Sequence, residues 1–335
     1  MSAIDDTTVR TGPSDGAALR GRAAPAGVST IPLPRDSVRA AARPAGPATA
    51  ASAVPAAAST GVADLLRGPV RPARVLLSGP AAVYVQVVGE RGGGDVVGVM
   101  TSDAARLPLG CILFRPSNGR PLVGLPPGAP AEVGGGRIVV GDLAVSAAAW
   151  WDPRPRLPGG RPALLPEGVR QLRTTLYGEG MPHSAFTLPG LPTGPGGPLA
   201  ALRGAVRRAD LEAALRTATR LVGLGPGLTP AGDDVMAGTM AGLVLLGHPA
   251  AERFAAGVCS LAAGRTTELS RALLRHAAAG RVSGEYAAVL RGLVGERPLA
   301  PAIERLLATG ATSGRAMALG LCTAIDLVDR TARTR

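Results

Sequence analysis

Lysine is absent from this chain of 335 residues, and aromatic side chains make up only 2% of it. All 36 basic residues are arginine, set against 24 acidic ones, which gives a formal net charge of +12. Scarce aromatics remove the stacking platforms on which single-stranded nucleic acids lie. The positive charge is also thinly spread. Residues 1–60 carry 6 Arg against 4 acids, residues 61–202 carry 13 against 9, and residues 203–335 carry 17 against 11. A nucleic-acid footprint needs a clustered basic face, so no nucleic-acid partner is expected. Diffuse arginine reads as solvated surface that helps to attract an anionic metabolite.

Cysteine is nearly as rare. Cys111, Cys259 and Cys322 are widely spaced and form no CxxC, which argues against a disulfide framework or a thiolate zinc site and fits reduced thiols in a cytoplasm. The histidines, His183, His248 and His276, lie far apart with no HExxH, and structural or surface roles outweigh catalysis for each. His183, in the loop Met181-Pro182-His183-Ser184, is the one kept as a candidate. Long apolar runs are missing too. Val235–Gly247, the longest mostly apolar stretch, has 13 residues, whereas a bilayer span takes about 20. The acidic start MSAIDDTTVR does not read as a signal peptide. A cytoplasmic protein without membrane contact is expected.

What is present divides the chain into segments. Residues 1–60, rich in Ala, Pro, Gly, Ser and Thr, show no hydrophobic period and read as a disordered extension. Residues 61–152 hold short β-branched runs at Val75–Leu77, Val83–Val88, Val96–Met100, Cys111–Phe114, Ile138–Val140 and Leu143–Val145, separated by Gly and Pro clusters. That spacing predicts a small barrel or sandwich. Trp150-Trp151-Asp152-Pro153 closes the block, the Trp pair reading as packing rather than a ligand cage. Residues 153–200 form a Pro/Gly-rich connector with one short helix near Val169–Leu176. Residues 201–330 read as an all-α domain of small-residue helices, with Asp210 capping the helix that carries Leu211, Leu215, Ala218 and Leu221. Further helices are expected at about 230–246, 249–263, 266–279, 283–294, 299–308 and 312–329, with Gly264 and Gly280 as stops. The fold class is α+β.

Three polar helix starts carry the candidate chemistry. The first is Gly223–Asp234, GLGPGLTPAGDD. Here Thr229 is expected as the N-cap and Pro230 as the first helical residue. Gly225, Gly227 and Gly232 would expose backbone N–H groups as a nest for phosphate or carboxylate. Asp233 and Asp234 either complement the helix dipole or act as base or Mg²⁺ ligand, since two adjacent carboxylates beside an anion ask for a cation or a proton. The loop is neither GxxxxGK[ST] nor the dinucleotide fingerprint. The second start, Gly264-Arg265-Thr266-Thr267-Glu268-Leu269-Ser270, offers a guanidinium fork and hydroxyls from Thr266, Thr267 and Ser270. The third, Gly310–Arg315, offers Thr312, Ser313 and Gly314. Each alone is also compatible with ordinary capping; if the three converge, they form a polar pocket. No cofactor is demanded by these residues, Mg²⁺ being the one candidate.

GLGPGLTPAGDDVMAG closely resembles the signature of the AllH-type subunit of oxamate carbamoyltransferase. Trp151-Asp152-Pro153 before it, and RTTELS…LL at Arg265–Leu274 and the turn Gly310–Gly314 after it, occur in the expected order, and the resemblance covers about residues 61–329. Family members often carry Ser at the position of Ala231, Phe at Val235 and His at Ala311. The resemblance implies movement of a carbamoyl group between oxamate and carbamoyl phosphate in allantoin breakdown, within a hetero-oligomer of dissimilar subunits. Carbamoyl transfer suits the residues. It needs backbone N–H groups and Arg for an anion, and donors near a carbonyl oxygen that gains charge. A non-catalytic metabolite-binding or structural subunit is the alternative, and a different acid–amide substrate is a third reading.

Overall fold

The structure is a computed structural model that describes residues 53–89, 94–159, 162–180, 186–192, 194 and 196–333. All of these lie in the unit Thr49–Arg335. His183 falls outside the described residues.

Eight strands close into a barrel: β1 (Val54–Ser59), β2 (Arg71–Ser78), β3 (Ala82–Val87), β4 (Val96–Met100), β5 (Gly110–Leu113), β6 (Pro130–Gly134), β7 (Arg137–Val140) and β8 (Leu143–Trp151). Their order is β1-β5-β4-β3-β2-β6-β7-β8, and parallel pairing of β1 with β8 closes the ring. β4 and β5 are also parallel; the remaining pairs are antiparallel. A closed barrel leaves no unpaired sheet edge. Ala73, Val75, Val83, Val85, Val97 and Val99 are buried and pack its core with small side chains.

Two strands depart from the sequence expectation. β1 lies in the stretch read as disordered, and β6 was not expected. VPAAAS and PAEVG have little intrinsic strand preference. Each is held because neighbours pair with both of its edges, so tertiary pairing overrides propensity. The Trp pair ends β8. The Arg67 guanidinium lies 4.5 Å from the Trp150 ring centroid, and Trp151 pairs with Ser59 of β1.

Short helix α1 (Ala63–Arg67) follows β1. After the barrel come α2 (Pro166–Tyr177), α3 (Pro198–Arg207), α4 (Leu211–Leu221), α5 (Ala231–Leu245), α6 (Ala251–Ala262), α7 (Glu268–Ala278), α8 (Gly284–Leu293), α9 (Ala300–Leu307) and α10 (Ser313–Arg333). Asp210 caps α4 as expected, accepting from Ala213 N at 2.8 Å. Gly264 and Gly280 end helices at φ 72° and 68°. Among the described residues no helix is long and apolar enough to cross a membrane.

α5 is the central helix. Every residue except Val244 is buried, so it has no solvent face. It packs backbone to backbone on α10: a Cβ on Gly238 would stand 2.4 Å from the Met317 carbonyl oxygen, and one on Gly320 would stand 2.3 Å from that of Val235. α7 joins the two halves. Leu269 and Ala272 are buried with the barrel core, whereas Leu274 and Ala277 belong to the helical core. A polar link reinforces this seam. Gln86 of β3 donates to Glu268 at 2.8 Å and accepts from Arg74, while Arg271 pairs with the same carboxylate.

Candidate functional site

The three polar helix starts do converge. Thr229 Oγ1 and Ser313 Oγ, 84 residues apart in the chain, lie 3.1 Å from each other. Thr266 donates to Asp233 Oδ2, and Thr267 Oγ1 donates to the Leu228 carbonyl. Thr267 also caps α7, accepting from Ser270 N at 3.1 Å. These bonds tie the beginnings of α5, α7 and α10 into one cluster.

The start of the helix after the glycine-rich turn differs from the expected one. α5 starts at Ala231, with Pro230 in the N-cap position and no side-chain cap. Thr229 is therefore not the cap; its hydroxyl goes to Ser313. The amides of the first turn are taken by main-chain oxygens: Gly232 N by Leu224, Asp233 N and Asp234 N by Pro230. Gly223, at φ 80°, sends its N–H to Asp233 Oδ1 at 2.8 Å, and a Cβ there would stand 2.0 Å from the Arg265 carbonyl oxygen. Gly232 lies as tightly against the Leu221 carbonyl. Gly225 and Gly227 are in the positive-φ region and outside the cavity described below. Close packing explains Gly223 and Gly232, whereas a Cβ on Gly227 would meet nothing within 4 Å.

The two aspartates have separate environments. Asp233 is 2% exposed and has both oxygens engaged, by Gly223 N and Thr266. Burial raises its pKa, and hydrogen bonds from Thr266, Gly223 and Ser270 offset part of the rise. Asp234 is 5% exposed, and its buried Oδ2 has no hydrogen-bond partner. Burial pushes its pKa up to about 7, with Asp233 adding to the rise and the Ser313 and Thr229 hydroxyls opposing it. A carboxyl poised near neutrality can both give and take a proton.

Asp234 opens onto a cavity of about 280 Å³ between barrel and helices. The barrel side contributes Tyr84, Ala105, Leu107 and Pro108. The helical side contributes Thr229, Asp234, Arg281, Ser283, Thr309 and Ser313 among apolar residues. Arg265 is not among them. It is exposed, and its guanidinium donates to the Thr219 carbonyl at 2.7 Å. Ser270 is buried beside Asp233, and its Oγ has no partner of good geometry. Gly314 is a packing glycine, since a Cβ there would stand 1.7 Å from the Leu306 carbonyl oxygen. Thr312 supplies a carbonyl to Ala316 N at 3.0 Å.

Arg281 and Ser283 were missed from the sequence, although a signal was available. Gly280-Arg281-Val282-Ser283 repeats the form of Gly264-Arg265-Thr266-Thr267, and Ser283 caps α8 by accepting from Tyr286 N at 3.2 Å. Among the described residues no group of three or more His, Cys, Asp or Glu is arranged to hold a metal ion. Each Asp233 oxygen already accepts a hydrogen bond, whereas Asp234 Oδ2 accepts none.

The family model for "Oxamate carbamoyltransferase subunit AllH" matches residues 221–325. That segment bears out the suspected family and contains the three helix-start motifs, while Trp151-Asp152-Pro153 and the rest of the expected span from residue 61 lie outside it. It runs from the end of α4 into α10 and contains every polar group of the cavity's helical wall, while the barrel wall lies outside it. Neither the curated proteins nor the solved structures gave a match.

Proposed function

We propose that this chain is a subunit of a carbamoyl-transferring enzyme, working with dissimilar subunits, and that the cavity at Asp234 holds the amide-bearing acid. The observation that carries this reading is a buried carboxyl with an unpartnered oxygen on the cavity wall, within the segment similar to AllH. When a carbamoyl group passes from the acid to phosphate, the bond between the acid's amide nitrogen and the carbamoyl carbon breaks. A phosphate oxygen bonds to that carbon, and the nitrogen takes up a proton. Asp234 in its acid form is placed to supply that proton, and as carboxylate to accept it in reverse. Thr229 and Ser313 orient the amide by hydrogen bonding.

Calorimetry of the full chain with oxamate and with carbamoyl phosphate tests ligand binding. Asp234→Asn tests the proton role. In the assembled enzyme the variant is expected to keep binding and to lose about 10²–10⁴-fold in turnover. Unchanged turnover would instead support a metabolite-binding subunit. The first-turn amides of Gly232, Asp233 and Asp234, already engaged by main-chain carbonyls, favour that second reading.

A further inference from the structure

The cavity has two polar ends, and α7 measures the distance between them. Leu269, Leu273 and Ala277, each four residues from the next, present one helix face to the cavity. Eight residues at 1.5 Å rise make that stripe about 12 Å long. At its start, Thr267 bonds the Leu228 carbonyl, which brings Thr229, Asp234 and Ser313 to this end. At its finish the chain turns through Gly280 to Arg281, whose N–H bonds the His276 carbonyl at 2.9 Å. The Arg281 guanidinium reaches the Gly61 carbonyl at 3.4 Å, beside His276, so it stays at the far end. Among the described residues Arg281 forms no salt bridge. Leu107, Pro108, Ala237 and Met317 line the space with the apolar stripe.

Oxamate joins its amide and carboxylate through a single carbon–carbon bond, so it cannot engage both ends. Resting on the reading that this cavity is the ligand site, we propose that its ligand is a longer ω-amido acid. Its carboxylate meets Arg281 and Ser283, its amide meets Asp234, Thr229 and Ser313, and a short hydrocarbon chain lies along Leu269, Leu273 and Ala277. One guanidinium matches one carboxylate. A phosphate dianion at the same end would be left with uncompensated charge among apolar walls.

The test is calorimetry of the full chain with oxamate, succinamate, glutaramate and adipamate, with glutaramide as the neutral control and inorganic phosphate as the rival for Arg281. Affinity is expected to rise about fourfold per added methylene until the span is filled. Arg281→Gln should weaken the best acid at least tenfold while leaving glutaramide within twofold. Leu273→Phe, which fills the stripe, should abolish the preference for length. If oxamate binds tightest, or if phosphate alone needs Arg281, the inference is overturned and the cavity reading stands. Acids that bind equally well to Leu273→Phe, or a cooperatively melting chain that binds none of these probes, overturn the cavity reading as well.

Discussion

The two walls of the cavity differ in kind. The barrel wall presents Tyr84, Ala105, Leu107 and Pro108, whereas the helical wall carries the carboxyl, the guanidinium and all the Ser and Thr hydroxyls of the cavity. The difference follows from how each half is built. On the barrel side only Tyr84 sits on a strand, β3, while Ala105, Leu107 and Pro108 come from the segment joining β4 to β5. Helix starts gather hydroxyls and carboxyls because those groups cap and complement free N–H groups. The barrel side therefore lines the cavity with apolar surface, and the helical side with its carboxyl, guanidinium and Ser and Thr hydroxyls.

That division can be broken most directly by comparing substitutions on the two walls. In the assembled enzyme Asp234→Asn is expected to lose about 10²–10⁴-fold in turnover. Leu107→Ala on the barrel wall should cost less than about tenfold, mainly through substrate binding, as expected for one truncated apolar contact. Equal losses would erase the distinction.

pH sharpens it next. Asp234 has a folded-state pKa of about 7 against 3.8 for the free group. Between those values the folded chain holds a proton that the unfolded chain has released. Stability from this group is thus complete below about pH 4 and falls as pH rises through 7, by up to about 4 kcal/mol at 1.36 per unit. His276 runs the other way. Burial, with Arg281 and Arg275, pushes it down to about 4, so its contribution is lost as pH falls below its free-chain value. Asp234→Asn should therefore exceed the parent chain in denaturant midpoint at pH 8 and approach it near pH 4. A constant gap between the two would count against the buried, protonated Asp234.

Gly238→Val probes the helical frame. The added side chain would strike the Met317 carbonyl, and overpacking of this kind costs about 1–3 kcal/mol. The measured quantity is the thermal midpoint, and no loss would mean that α5 and α10 can part. The smallest effect belongs to Asp210→Ala, which removes the α4 cap, away from both walls. About 1 kcal/mol should be lost with ligand binding unchanged.

Much of this architecture could be read locally. Six of the eight strands and the helices from α4 to α10 follow from β-branched runs, helical periodicity, caps and glycine stops. β1 and β6 could not be read this way, because their Ala- and Pro-containing stretches become strands only when neighbours pair with them. At the site, Thr229, Asp234 and Ser313 were recognisable as polar helix starts. The roles of the residues around them were not. Gly225 and Gly227, read as donors, take positive φ and do not line the cavity, while carbonyls close at hand take the amides of Gly232, Asp233 and Asp234. Arg265 and Arg281 sit in nearly identical local sequences, yet only Arg281 faces the cavity.

By itself, then, the sequence determined the element types, their caps and the Gly–Thr–Asp signature, since these depend on residues within a few positions of one another. Tertiary structure alone decided which polar groups meet. Thr229 finds Ser313 across 84 positions, and β1 closes the ring on β8, only once the barrel and helices have packed. The physical reason lies in α7. Its N-terminal residues are buried with the barrel and its C-terminal residues with the helices. The cavity along it therefore exists in neither half alone, and a window of local sequence holds no record of it.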